Sequence, residues 1–149
     1  MRYPALLIDA GKVQSNARTV AGLLAKQGMR LLAVAKGTMA HPVVVRAMLD
    51  GGARAIGDSR IENLLMLRNL GFTCETVLLR VPSPSRAAEA VEVADVSLCS
   101  ELATARALGE AARRLGKDHS VVLMVDLGDL REGVLAEDAP HVAKEMARI

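Results

Sequence analysis

The chain has 149 residues, enough for one domain of ordinary size, and its 51% hydrophobic and 24% charged residues describe a globular protein, not a disordered one. A net charge of +2 with the signs interspersed offers no basic stripe, and one Phe, one Tyr and no Trp leave no stacking platform for single-stranded nucleic acid. No apolar run approaches the ~18 residues of a membrane span, and the opening MRYPALLIDAG is too short in apolar residues for a secretory signal, so a cytoplasmic protein is expected.

Short aliphatic runs alternate with helical patterns along the whole chain. ALLID (5–9) reads as a strand, followed by a helix over about 12–27 with Val13, Ala17, Val20 and Leu24 on one stripe. LLAVAK (31–36) is the second strand, and its helix opens at Pro42 and closes at Gly51-Gly52. ARAIGD (53–58) precedes Ser59, Arg60, Ile61 and Glu62, which have capping-box spacing, and that helix stops at Gly71. TVLLRV (76–81) leads through Ser83-Pro84 into an Ala-rich helix. DVSLCS (95–100) leads into a helix with Leu102, Ala105, Leu108, Ala112 and Leu115 inward and Gly116 at its end. SVVLMVD (120–126) precedes a glycine-containing loop and a shorter helix carrying Val142, Met146 and Ile149. Cys74 and Cys99 lack CxxC spacing and read as core residues, not as a disulfide.

Strand then helix, six times over, specifies parallel strands with crossover helices, and near-continuous apolar strands specify a sheet covered on both faces. An open nucleotide-binding sheet would carry GxGxxG after its first strand, where Asp9-Ala10-Gly11-Lys12 stands instead. A closed barrel needs eight units and typically ~250 residues. The expected fold is therefore α/β, with repeated βα units forming part of a barrel of the triosephosphate-isomerase type. Missing strands would leave open edges and an uncovered inner face, so self-association is expected.

Function in such a fold lies at the carboxyl ends of the strands. Lys36 with Thr38, Asp58 with Ser59 and Arg60, Arg80, Cys99 with Ser100, and Asp126 with Asp129 and Arg131 stand there. Ser59 and Ser100 are explained as helix caps and Glu62 as a capping-box partner. Arg60, Arg68, Arg106, Arg113 and Arg114 read as solvated helix faces, and His41, His119 and His141 share no metal spacing. Lys36 is different: at the end of a buried strand its charged form loses solvation, which would free a neutral amine for imine chemistry, although strand-end lysines also reach to water. Arg131 either clamps a phenolate or carboxylate with its planar fork or pairs with Asp126 or Asp129.

Taken in order, YPALLIDAGKVQSNARTV, LLAVAKG, IGDSRIENLLMLRNLG, DVSLCSELATARAL and VLMVDLGDLREGV resemble the amino-terminal part of the alanine/ornithine racemase family of pyridoxal-phosphate barrel enzymes, especially its ornithine-racemase-like branch. The resemblance covers essentially the whole chain. It implies that residues 1–149 are the amino-terminal part of such a barrel, with the remaining strands and a carboxy-terminal β domain outside it. It implies pyridoxal 5'-phosphate as cofactor, an aldimine formed by Lys36, and an approach of Arg131 to the cofactor's phenolic oxygen and the substrate carboxylate. An amino-acid substrate, a homo-oligomer and interconversion of L- and D-amino acids follow from the same likeness, with Lys36 as catalytic base on one face.

Two departures from the family pattern stand out. Ala40 occupies the place of a tyrosine four residues after the lysine, and the tyrosine that a partner subunit supplies to the opposite face has no match, Tyr3 being elsewhere. The isolated 149 residues are accordingly expected to lack turnover. Two other readings compete. A non-catalytic pyridoxal-phosphate homeostasis protein shares the barrel and the lysine, but VDLGDLREG favours the racemase. A Schiff-base aldolase on a similar barrel would not need Arg131 after a strand. Arg80 leaves a strand end, where it either meets a substrate side chain or balances an acid.

Overall fold

The computed structural model describes Pro4 and residues 6–149, and among these residues regular structure begins at Ala10. The Asp9 carboxylate accepts the backbone N–H of Lys12 at 3.0 Å and caps helix α1 (Ala10–Ala25). This corrects the strand expected over 5–9. Ala5 lies outside the described residues, residues 6–9 form no strand, and Leu6 and Leu7 are 80% and 82% exposed. An apolar run becomes a strand only where a neighbour completes its ladder, and among the described residues none does so here.

The chain divides into two units, Met1–Gly57 and Asp58–Ile149. In the first, α1 packs on α2 (Pro42–Asp50) through a buried Ala17 and half-buried Val13 and Leu24, while Val20 of the expected stripe faces solvent. Gly51 ends α2, as the sequence requires, and also sets how near the helices come. A Cβ on Gly51 would lie 2.5 Å from Ala17 Cβ and 2.6 Å from the Gln14 carbonyl oxygen. β1 (Leu32–Val34) is parallel to β2 (Ala55–Asp58), pairing Leu32 with Ala55, Ala33 with Ile56 and Val34 with Gly57. β2 is buried throughout, but β1 buries only Ala33 and leaves Leu32 and Val34 exposed. Coverage of both faces therefore fails at β1: its aliphatic run has one packed side.

In the second unit, the backbone carbonyl of Asp58, at the end of β2, accepts the N–H of Leu79 at 2.8 Å. The unit then runs α3 (Ile61–Asn69), β3 (Glu75–Leu78), α4 (Ala87–Val93), β4 (Val96–Cys99), α5 (Leu102–Leu115) and β5 (Ser120–Leu123). β3, β4 and β5 are parallel, with Val77 opposite Val96 and Cys99 opposite Leu123. The expected strand over 120–126 breaks at Met124, and Val125–Asp126 becomes β6, which pairs in parallel with β7 (Val134–Leu135) ahead of α6 (Ala139–Met146). On α5, Ala105, Leu108 and Ala112 are buried as the periodicity demands, joined by Thr104 and Ala111, while Leu115 is exposed. β5 is also largely uncovered, with Val121 and Val122 exposed.

Arg68 departs furthest from its sequence reading. Far from forming a solvated face, its guanidinium donates to the carbonyls of Val93, Phe72 and Cys74, to Thr76 Oγ1 and to Asp95 Oδ2, the last at 2.7 Å. Asp95 Oδ2 also accepts the Thr76 N–H at 2.7 Å. One arginine thus ties α3 to the entrances of β3 and β4, using the fixed fork that lysine lacks. Neither cysteine forms a disulfide, Cys99 being buried and Cys74 half-buried, as expected. No helix among the described residues is long and apolar enough to cross a membrane.

Candidate functional site

Lys36 follows β1 directly and opens a single 3-10 turn, Lys36–Thr38. The carbonyl of Ala35 anchors this turn, accepting the Thr38 N–H at 3.0 Å, the Thr38 hydroxyl at 3.1 Å and the Ala40 N–H at 3.1 Å. Drawing the chain back onto one oxygen puts Met39 and Ala40 at φ 50°, the left-handed region. That conformation costs roughly 1–2 kcal/mol for a residue with a Cβ, and strain of this sort gathers where a backbone must present a side chain. Ala40, in the place of the family tyrosine, is fully buried. His41 lies at the entry to α2, as expected.

The burial expected of Lys36 is absent. Its side chain is exposed, continuing the open register of Leu32 and Val34, and it makes no ion pair among the described residues. The amine is therefore presented, not enclosed, by the residues of its own unit. Lys36 belongs to the first unit and Arg131 to the second.

In the second unit the expected capping box does not form. Arg60 occupies the N-cap position of α3 without a side-chain bond, and the fully buried Asp58 does the holding: its Oδ1 accepts from Arg60 N–H at 3.0 Å and from Asn63 Nδ2 at 2.9 Å. Glu62 instead meets Arg86 at 2.7 Å, and Arg86 meets Glu89 at 2.6 Å. A hydrogen bond from its own backbone N–H, followed by the Arg86 contact, lowers the Glu62 carboxyl below its ordinary range. Ser59, Arg60, Arg80, Ser83 and Arg86 line an open groove of about 410 Å³. Arg80 is exposed there without an ion pair among the described residues, so the acid proposed to balance it is not found.

Ser100 does not cap α5; Glu101 holds that position without a side-chain bond. Ser100 Oγ and Asp58 Oδ2 are the two buried side-chain oxygens without a partner among the described residues, and both stand at carboxyl ends of strands. Buried polar atoms left unpaired are uncommon enough to mark that end as the functional one. Both residues were expected at strand ends, but their unpaired oxygens were not legible in the sequence, because orphaning is a property of packing. Cys99 at the same end is an inert core thiol: burial raises its pKa. No cluster of His, Cys, Asp or Glu suited to a metal occurs among the described residues.

Arg131 lies on the loop between β6 and β7. It is exposed and pairs with neither Asp126 nor Asp129, so that alternative is excluded. Asp126 is occupied elsewhere, its Oδ1 accepting the backbone N–H of Gly128 at 2.7 Å and of Leu130 at 3.2 Å. The bond from Gly128, reinforced by that from Leu130, lowers the Asp126 carboxyl below its ordinary value. No hydrogen bond or ion pair among the described residues takes the guanidinium's donors, which leaves them available to an anionic oxygen.

Comparison with known proteins places this geometry in context. The chain matches the family described as alanine racemase, N-terminal domain, over residues 8–149. It is 39% identical over 148 residues to the ornithine racemase of Acetoanaerobium sticklandii, covering 99% of this chain and 41% of that protein. With the lysine racemase of Thermotoga maritima it shares 33% identity over 139 residues, 93% of this chain and 39% of that one. Among solved structures, the alanine racemase of Streptomyces lavendulae aligns with a TM-score of 0.81 at 25% identity, over 95% of this chain and 38% of that chain. The fold is thus the α/β, part-barrel arrangement of that family, and the chain spans about two fifths of the length of the relatives it matches.

Proposed function

Since the chain belongs to the alanine racemase N-terminal domain family, we propose that it serves as the lysine-bearing part of a pyridoxal-phosphate-dependent amino-acid racemase. The observation that carries the reading is Lys36: an amine without a carboxylate partner among the described residues, delivered by a strained turn at the carboxyl end of a strand. Each residue suits the cofactor by its own chemistry: an amine answers an aldehyde, and a guanidinium without an ion pair among the described residues answers an anionic oxygen.

When bound, pyridoxal phosphate spreads through its ring the negative charge left on the α-carbon by proton removal. Lys36 Nζ would hold the cofactor and would supply the amine that takes up the α-proton on its own face. Arg131 orients the reacting group through the phenolic oxygen or the substrate carboxylate. Lys36 would be one of the two proton-handling groups that racemisation needs. The substrate class is a free α-amino acid, with ornithine, lysine and alanine as first candidates because the relatives are named for them.

The test is covalent. Incubation with pyridoxal 5'-phosphate, reduction with borohydride and peptide mass spectrometry should place the pyridoxyl adduct on Lys36, and Lys36→Ala should abolish the visible absorbance band that precedes reduction. An adduct spread over surface lysines, or a band unchanged in the variant, would overturn the reading.

A further inference from the structure

We propose that Asp126 is the positioning residue for Arg131, holding the loop backbone so that the guanidinium meets an anionic oxygen of the ligand. The inference rests on the role given above to Arg131. An exposed arginine on a seven-residue connection between two-residue strands would sample many backbone states unless something held its stem. Asp126 fixes both halves of the loop. Its carboxylate accepts the N–H groups of Gly128 and Leu130, and Leu130, immediately before Arg131, is kept at φ 51°. The returning half closes on the backbone of the same residue. Gly133 sits at φ 127° where a Cβ would lie 2.6 Å from Asp126 N, and β7 then pairs Leu135 with Asp126.

The chemistry of this arrangement differs from that of an ion pair. A carboxylate bonded to the guanidinium would orient it but would also compete with the incoming anion. A carboxylate bonded to loop amides orients the arginine through its stem and leaves its five N–H donors free. An asparagine would do nearly the same, because its amide oxygen can accept the same two N–H groups; an alanine could not.

Titrations with pyridoxal 5'-phosphate, followed by the absorbance of the cofactor, would compare the wild type with Asp126→Ala, Asp126→Asn, Arg131→Ala and the Asp126→Ala/Arg131→Ala double variant. Backbone amide exchange at Gly128 and Leu130 would be read in the cofactor-free proteins. Asp126→Ala and Arg131→Ala should each weaken binding about tenfold, with the double variant no weaker than either single variant. Asp126→Asn should bind like the wild type, and exchange should accelerate only where the alanine is present at 126. Wild-type affinity in Asp126→Ala beside a weakened Arg131→Ala, or additive losses in the double variant, would overturn the positioning role alone. Wild-type affinity in Arg131→Ala would overturn the reading of Arg131, and this inference with it.

Discussion

His119 shows how a single side chain can set a pH dependence without any part in the chemistry. Its Nδ1 lies 3.1 Å from the carbonyl oxygen of Ala94, which can only accept, so Nδ1 carries the proton and Nε2 accepts from Ser97 Oγ at 3.0 Å. Burial pushes its pKa below the ordinary 6.5, opposed by the Ala94 carbonyl and by Asp95. Protonation would also put a second donor against the Ser97 hydroxyl, which must then turn its own proton elsewhere. The unfolded chain therefore takes up a proton at higher pH than the folded one. Stability should be fully present above about pH 6.5 and should fall as the pH drops toward the lowered folded value. Urea unfolding across this range should show the decline, and His119→Gln should remove that portion of it. A slope unchanged in the variant would assign the decline to other groups.

At the level of elements, the two glycines Gly51 and Gly22 should respond to the same substitution with opposite sign. Gly51 closes α2 against α1, and the Cβ of Gly51→Ala would press on Ala17 and the Gln14 carbonyl, so overpacking should destabilise the fold by about 1–3 kcal/mol. Gly22 lies within α1 with nothing among the described residues within 4 Å of an added Cβ. Gly22→Ala should stabilise it by roughly 0.5–1 kcal/mol, through the entropy that glycine loses on entering a helix. Thermal denaturation of the two variants decides the point; equal effects would mean that the helices separate to relieve the contact. Element positions were largely legible in the sequence. Five of the six strand expectations hold in kind, and the helix ends at Gly51 and Gly116 follow from local chemistry. The capping predictions fared worse. Asp58, not Ser59, organises the start of α3, because a buried carboxylate with two donors within reach outbids a serine at the nominal spacing.

For the molecule as a whole, exposed apolar side chains imply further association. In the first unit Leu6, Leu7, Leu32, Val34 and Met39 meet solvent, and in the second Val121, Val122, Leu127, Leu130 and Leu135 do. Such surface is ordinarily covered by another chain or by more of the same one. Sedimentation velocity of the 149 residues should therefore show concentration-dependent self-association, and a single monomeric boundary at every concentration would contradict it. The same exposure decides between the two readings of Lys36: β1 has one covered face, and the amine continues the open one toward water.

Sequence alone determined the βα alternation, the parallel pairing it entails and the two candidate residues, Lys36 and Arg131. These depend on periodicity, turn chemistry and motif order, which are local to the chain. Tertiary structure decided which atoms are spent and which are free: Arg68 consumed by five acceptors, Asp126 consumed by loop amides, Ser100 Oγ and Asp58 Oδ2 buried without partners among the described residues. Whether a donor finds an acceptor depends on residues up to 27 positions apart being brought within 3 Å, and no pattern along the chain encodes that distance.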